Sequence, residues 1–178
     1  MRTLADHLSN YAAYHRDRRN LATHFVGVPM IVAAVAILLS RPVFEIGGLT
    51  LSPAWLVVAA TLVFYLRLSA TYALAMAAVL GAALWAAHLT APLSTAAWLA
   101  WGIGLFAVGW VIQFIGHAFE GRKPAFVDDL VGLLIGPLFL VAETAFALGL
   151  SPALRQQVIE RAGPMRSVRP SIEPARPS

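Results

Sequence analysis

Five apolar runs separated by short turns constrain this chain more than any other feature. They are Phe25–Ser40, a second starting at Leu49 or Ala54 and ending at Leu66, Leu68–Leu89, Thr95–Ile115 and Leu130–Leu150. The first has roughly 16 residues against the about 20 that a bilayer core requires, so it spans only if His24 and its neighbours enter the interface. Pro29 falls in its opening turns, where a missing N–H costs least. The third is Ala-rich and the fourth carries Gly102, Gly104 and Gly109, so both suit close helix packing. Trp residues fall mostly toward the run ends, as interfacial anchors do. Charged residues make up only 12% of the 178-residue chain and hydrophobic ones 59%, whereas a soluble domain carries roughly 25% charge. The predicted fold class is all-α: a polytopic integral membrane bundle of four spans plus a Pro-broken fifth apolar segment. Residues 1–150 form one membrane-embedded catalytic domain, and 151–178 a basic, Pro-rich, flexible tail.

Charge sets the topology. Arg2, Arg16, Arg18 and Arg19 place the N-terminus in the cytoplasm, and four crossings return residues 116–129, with Arg122 and Lys123, to the same side. The expected site therefore faces the cytoplasm, at a bacterial inner membrane or, in a eukaryote, the endoplasmic reticulum. The fifth run holds Gly136-Pro137, where a helix breaks or kinks. A single crossing would leave the Arg-rich tail outside, so a re-entrant or Pro-broken path is favoured. The net charge of +4 then reflects loops facing anionic lipid rather than nucleic-acid binding. Without cysteine there is no thiolate site, and no cleavable leader is visible ahead of the first run.

Two polar clusters fall on that one face. Tyr14, His15, Asn20 and His24 lie before the first run; Gln113, His117, Glu120, Arg122 and Lys123 end the fourth. In the N-terminal segment Leu4, Leu8, Tyr11 and His15 recur at helical spacing, and Asn20 is placed to cap the next helix. Neutral imidazoles suit a metal. His15 and His24, however, are nine residues apart and would point oppositely on one straight helix, so they converge only if the chain bends in the Arg16–Arg19 segment. Spacing alone leaves open that these histidines are interfacial polar residues of a non-catalytic lipid-binding or assembly protein. It also leaves open a metal enzyme of another kind, such as a zinc hydrolase. Gln113, one turn before His117, is placed to orient that imidazole, or else to bond a neighbouring helix. Arg122 or Lys123 can receive a substrate carboxylate, or contact lipid headgroups. Glu143, inside an apolar run, must face protein, paired with a cation, a metal or a helix end. Asp128 is placed to cap the last apolar helix, and His88 lies on the opposite side of the membrane. The chain has no His-rich desaturase cluster, no HExxH, no GxSxG and no P-loop.

Tyr14-His15, Asn20, His24, Gly27 and Pro29, followed by Trp110, Gln113-Phe114, Gly116-His117, Glu120, Pro124-Ala125, Asp128, Pro137 and Glu143, resemble the family of the fungal protein for metabolism of phytosphingosine to odd-numbered fatty acids. The likeness covers roughly residues 8–150. It departs at Glu120, three residues after His117 where the family's glutamate is expected four after. The resemblance implies an Fe(II)-dependent dioxygenase of fatty acid α-oxidation, which takes O2 and a long-chain 2-hydroxy fatty acid to the acid one carbon shorter plus CO2. It implies His15, His24 and His117 as the essential histidines and iron ligands.

Overall fold

The computed structural model describes residues 2–124, 127 and 129–166. Its elements run α1 (Leu4–Ala12), α2 (Arg18–Leu38), a hairpin of β1 (Phe44–Ile46) and β2 (Leu49–Leu51), α3 (Pro53–Leu68), α4 (Ala70–Thr90), α5 (Thr95–Glu120), α6 (Gly132–Ala147) and α7 (Pro152–Ala162). The protein is an all-α membrane bundle. Three helices, α2, α4 and α5, are long and apolar enough to cross a bilayer. Helix α3, with 16 residues, reaches only about 24 Å against a core of about 30 Å. Helices α6 and α7 form a pair bent by 117°.

Helix ends differ from the sequence reading where side chains can choose partners. Helix α2 begins seven residues before Phe25, because Asp17, not Asn20, is its N-cap: the carboxylate accepts from the Arg19 backbone N–H at 2.8 Å. Starting there gives α2 its spanning length without a contribution from the interface. Helix α1 ends at Ala12, so His15 lies past it rather than on its face. A capping box between Thr3 and Asp6 opens α1. Helix α5 runs on through Glu120 and stops at Gly121, whose φ of 68° lies in the left-handed region that suits glycine. The fifth apolar segment does bend, but not at Gly136-Pro137. Pro137 lies in the second turn of an uninterrupted α6, and the break comes at Leu148–Ser151, ahead of Pro152 at the first position of α7. The basic segment expected to be flexible from residue 151 thus begins with a helix, held to α1 by an Arg161–Asp6 ion pair of 2.6 Å. The expected cap Asp128 and the end of the tail lie outside the described residues.

The α2–α5 pair is the most extensive helix contact. Glycines 102, 109 and 116, seven apart, line one stripe of α5. A β-carbon on Gly102 would collide with Leu38, one on Gly109 with Ile31 and the Gly27 carbonyl, and one on Gly116 with Thr23 and Asn20. The helices therefore run antiparallel with backbones nearly touching, as small residues permit in a membrane. Gly104, expected in this seam, lies off the stripe: a β-carbon added there would meet nothing within 4 Å. A second core joins α1, α3, α4 and α6 through Leu8, Tyr65, Met76, Leu138 and Phe139. It fixes α1 under the bundle and so places the residues that follow it.

Candidate metal centre

The five residues between α1 and α2 make the bend that brings His15 back over α2. His15 and His24 then meet with Nε2 atoms 3.0 Å apart. His117, carried in by the α2–α5 seam, completes a buried trio whose available ligand atoms all lie within 4.8 Å of one another. Among the described residues this is the only cluster of three or more His, Cys, Asp or Glu side chains with such spacing.

Hydrogen bonding fixes how two imidazoles are presented. His15 Nδ1 lies 2.7 Å from the Tyr11 carbonyl and His24 Nδ1 lies 2.8 Å from the Asn20 carbonyl. A carbonyl only accepts, so both Nδ1 atoms carry the proton and both Nε2 atoms present lone pairs. Two lone pairs facing at 3.0 Å, shielded from water, repel unless a cation lies beside them. Burial, reinforced by neighbouring His24, holds the His15 imidazole well below the usual histidine range, so a proton is a poor candidate for that cation. Backbone carbonyls on Nδ1–H are the usual outer support of metal-bound histidine. His117 Nδ1 is buried and makes no hydrogen bond of good geometry, although the Arg122 backbone carbonyl lies close to the ring. The donor set fits a divalent transition metal.

The surroundings are built as a rigid cup. Tyr11 stacks on His15, with centroids 4.1 Å apart and planes 6° apart; burial keeps its phenol protonated. Its hydroxyl would lie only 2.9 Å from a β-carbon added at Gly136, too close for one to fit without a shift. Buried Glu120 accepts from the Asp17 backbone N–H at 2.7 Å and from the Asn20 amide at 3.1 Å, which pins the start of α2 to the end of α5. Asn20 therefore supports the site by its carbonyl toward His24 and its amide toward Glu120.

A small cavity of about 60 Å³ reaches His24 and His117 between α2, α5 and α6. Its inner end is polar, with His24, His117, Gln113 and Tyr11; its outer end is apolar, with Val28, Ile31, Val32, Trp110 and Leu133. Gln113 lines it rather than bonding His117: its Oε1 is buried without a partner. Four expected site residues are elsewhere. Glu143 is half-buried on the wall of a separate cleft with Arg18, Phe25 and Arg155, in the electrostatic range of Arg16 and Arg155 and outside the cavity at the histidines. Arg122 donates to the Ala13 carbonyl at 2.8 Å and lies over the Tyr14 ring at 5.5 Å; it joins α5 to the end of α1. Neither Arg122 nor Lys123 is among the described residues lining the cavity. Tyr14 is half-buried on that same junction, outside the trio, and its carbonyl accepts from Asn20. Tyr11 and Gly136 are absent from the sequence-predicted site. The available signal is that Tyr11 precedes His15 by one helical turn.

The curated 2-hydroxy-palmitic acid dioxygenase MPO1 of Saccharomyces cerevisiae is 47% identical over 55 residues, 30% of this chain and 32% of that protein. The alignment thus spans about a third of the relative's length. No solved structure matches. The family model described as 2-hydroxy-palmitic acid dioxygenase Mpo1-like matches residues 1–148, which include all three histidines and the cavity, and the chain belongs to that family.

Proposed function

We propose that this protein is an Fe(II)-dependent dioxygenase of fatty acid α-oxidation, with His15, His24 and His117 as iron ligands. The observation that carries the reading is the pair of Nδ1-protonated histidines directing their Nε2 lone pairs at one point beside His117. The reaction consumes one O2 per 2-hydroxy acid. The C1–C2 bond breaks, C1 leaves as CO2, C2 becomes the new carboxyl carbon, and one water forms. The substrate supplies the four electrons that O2 accepts, so no external reductant enters.

Iron, when bound, supplies O2 activation and a template for the substrate's carboxylate and hydroxyl oxygens. The chain's own residues do the rest. The Tyr11 and Asn20 carbonyls hold two imidazoles in the ligating tautomer. The stacked Tyr11 ring and Phe139, packed against it at 5.1 Å, exclude water from one side of His15. The outer cleft of Val28, Ile31, Val32 and Leu133 receives the start of the alkyl chain from the lipid side. The site faces the cytoplasm in this reading, with Arg2, Arg16 and the arginines of α2 and α7 on the anionic inner surface.

The test is purified protein with Fe(II), air and 2-hydroxypalmitic acid. The C15 acid and CO2 form in equal amounts, and His117→Ala abolishes both. No shortened product, or full activity in that variant, contradicts the proposal.

A further inference from the structure

We propose that Gln113 selects 2-hydroxy acids over plain fatty acids by accepting a hydrogen bond from the substrate's hydroxyl. This rests on the α-oxidation reading above. Gln113 is only 4% exposed, and its Oε1 is buried without any hydrogen-bond partner. Leaving a buried amide oxygen unpaired is unfavourable, so such an atom marks a position that something else completes. Gln113 is one of the residues that line the cavity, one helical turn from His117 and with Gly136 and Pro137 also in the lining, and its enclosed Oε1 needs only a turn of the amide to meet a head group there.

The seam explains why the amide is held there. A β-carbon on Gly27 would come within 3.2 Å of Gln113 Nε2, so the glycine leaves room for the amide and α2 packs directly against it. The cavity, about 60 Å³, admits a head group and not a chain, which continues outward over Ile31, Val32 and Trp110. A head group between Gln113 and the His24 and His117 imidazoles meets acceptors or lone pairs on several sides. A plain fatty acid presents no donor to Oε1, since its carboxylate only accepts. A 2-hydroxy acid presents one O–H, and Gln113 is the neutral acceptor for it. A site built to bond a hydroxyl discriminates strongly against the analogue lacking it, because its own polar group is then left unpaired.

The test is equilibrium binding to the iron-loaded full chain in lipid nanodiscs under nitrogen, so that no turnover occurs. The ligands are 2-hydroxypalmitic, palmitic and 2-methoxypalmitic acids. Wild type prefers the hydroxy acid to palmitic acid. Gln113→Met, similar in size but without the acceptor, loses about tenfold of that preference while retaining iron and melting temperature. On the unmodified protein the methoxy acid, which has lost the donor, binds no better than palmitic acid. A preference unchanged in Gln113→Met, or a methoxy acid that binds as well as the hydroxy acid, overturns the proposal. If Gln113→Met does not fold, the methoxy comparison decides alone. Failure of the dioxygenase reading shows separately, as absence of C15 acid on admitting air whatever the binding preference.

Discussion

The two ends of the α2–α5 pair are made from the same pieces and treat polar groups oppositely. Both are closed by seam glycines, Gly102 at one end and Gly116 at the other. At the Gly102 end the polar groups are paired. Trp98 Nε1 donates to the Ile37 carbonyl at 2.7 Å and to Ser40 Oγ at 3.1 Å, and the Arg41 guanidinium bonds the Ala91 carbonyl while lying 4.9 Å over the Trp98 ring. At the Gly116 end, Asn20 Oδ1, Gln113 Oε1, His117 Nδ1 and Glu120 Oε1 are buried without hydrogen-bond partners. Buried polar groups are normally satisfied, so four exceptions in one cluster set this end apart from the other; Glu120 Oε1 has the Arg166 guanidinium at 3.9 Å, and in the proposed reading Gln113 and His117, which line the cavity, are completed by what binds there.

The sharpest way to break the comparison is to remove a ligand. His24→Ala reduces turnover at least about 100-fold and releases the metal, a larger loss than the roughly 10–100-fold typical of outer supports; activity assay with metal analysis checks both. Next is Glu120→Ala, which leaves the Asp17 N–H and the Asn20 amide without their acceptor. Each orphaned donor costs about 1–3 kcal/mol, so the melting temperature in detergent falls clearly and metal affinity falls with it. Gly116→Ala follows, because its β-carbon would collide with Thr23 Oγ1. Overpacking of this kind costs about 1–3 kcal/mol, read as a lower melting temperature, whereas Gly104→Ala, off the stripe, changes neither stability nor turnover. The smallest effect is at the far end. Trp98→Phe removes the indole donor and costs about 1 kcal/mol, and turnover at saturating substrate is unchanged.

Apolar runs and turn residues suffice to order the helices that carry His24 and His117 and to set His15 just ahead of the first, since hydropathy acts locally along the chain. The construction of the site is less legible. Ligand identity rests on the resemblance, because nine residues between His15 and His24 read as opposite faces until the bend before α2 is known. That bend depends on Asp17 capping and Glu120 reaching across from α5, both tertiary choices. Glu143 is legible as a carboxylate that needs a partner, a cation among the choices, but which one is not: Arg16 and Arg155 come from segments far apart in the chain. The sevenfold glycine spacing is legible only in part, since Gly104 stands beside the stripe without joining it and Gly116 reads as part of a motif rather than as a packing contact.

The most direct measurement is the metal content of the purified chain with the nearest-neighbour ligands of the bound ion, by elemental analysis and X-ray absorption. One iron site per chain is expected, with histidine nitrogens in its nearest shell, lost in each of His15→Ala, His24→Ala and His117→Ala. A chain that binds no metal, or keeps a full complement when two of these histidines are removed, contradicts the assignment of a three-histidine iron centre.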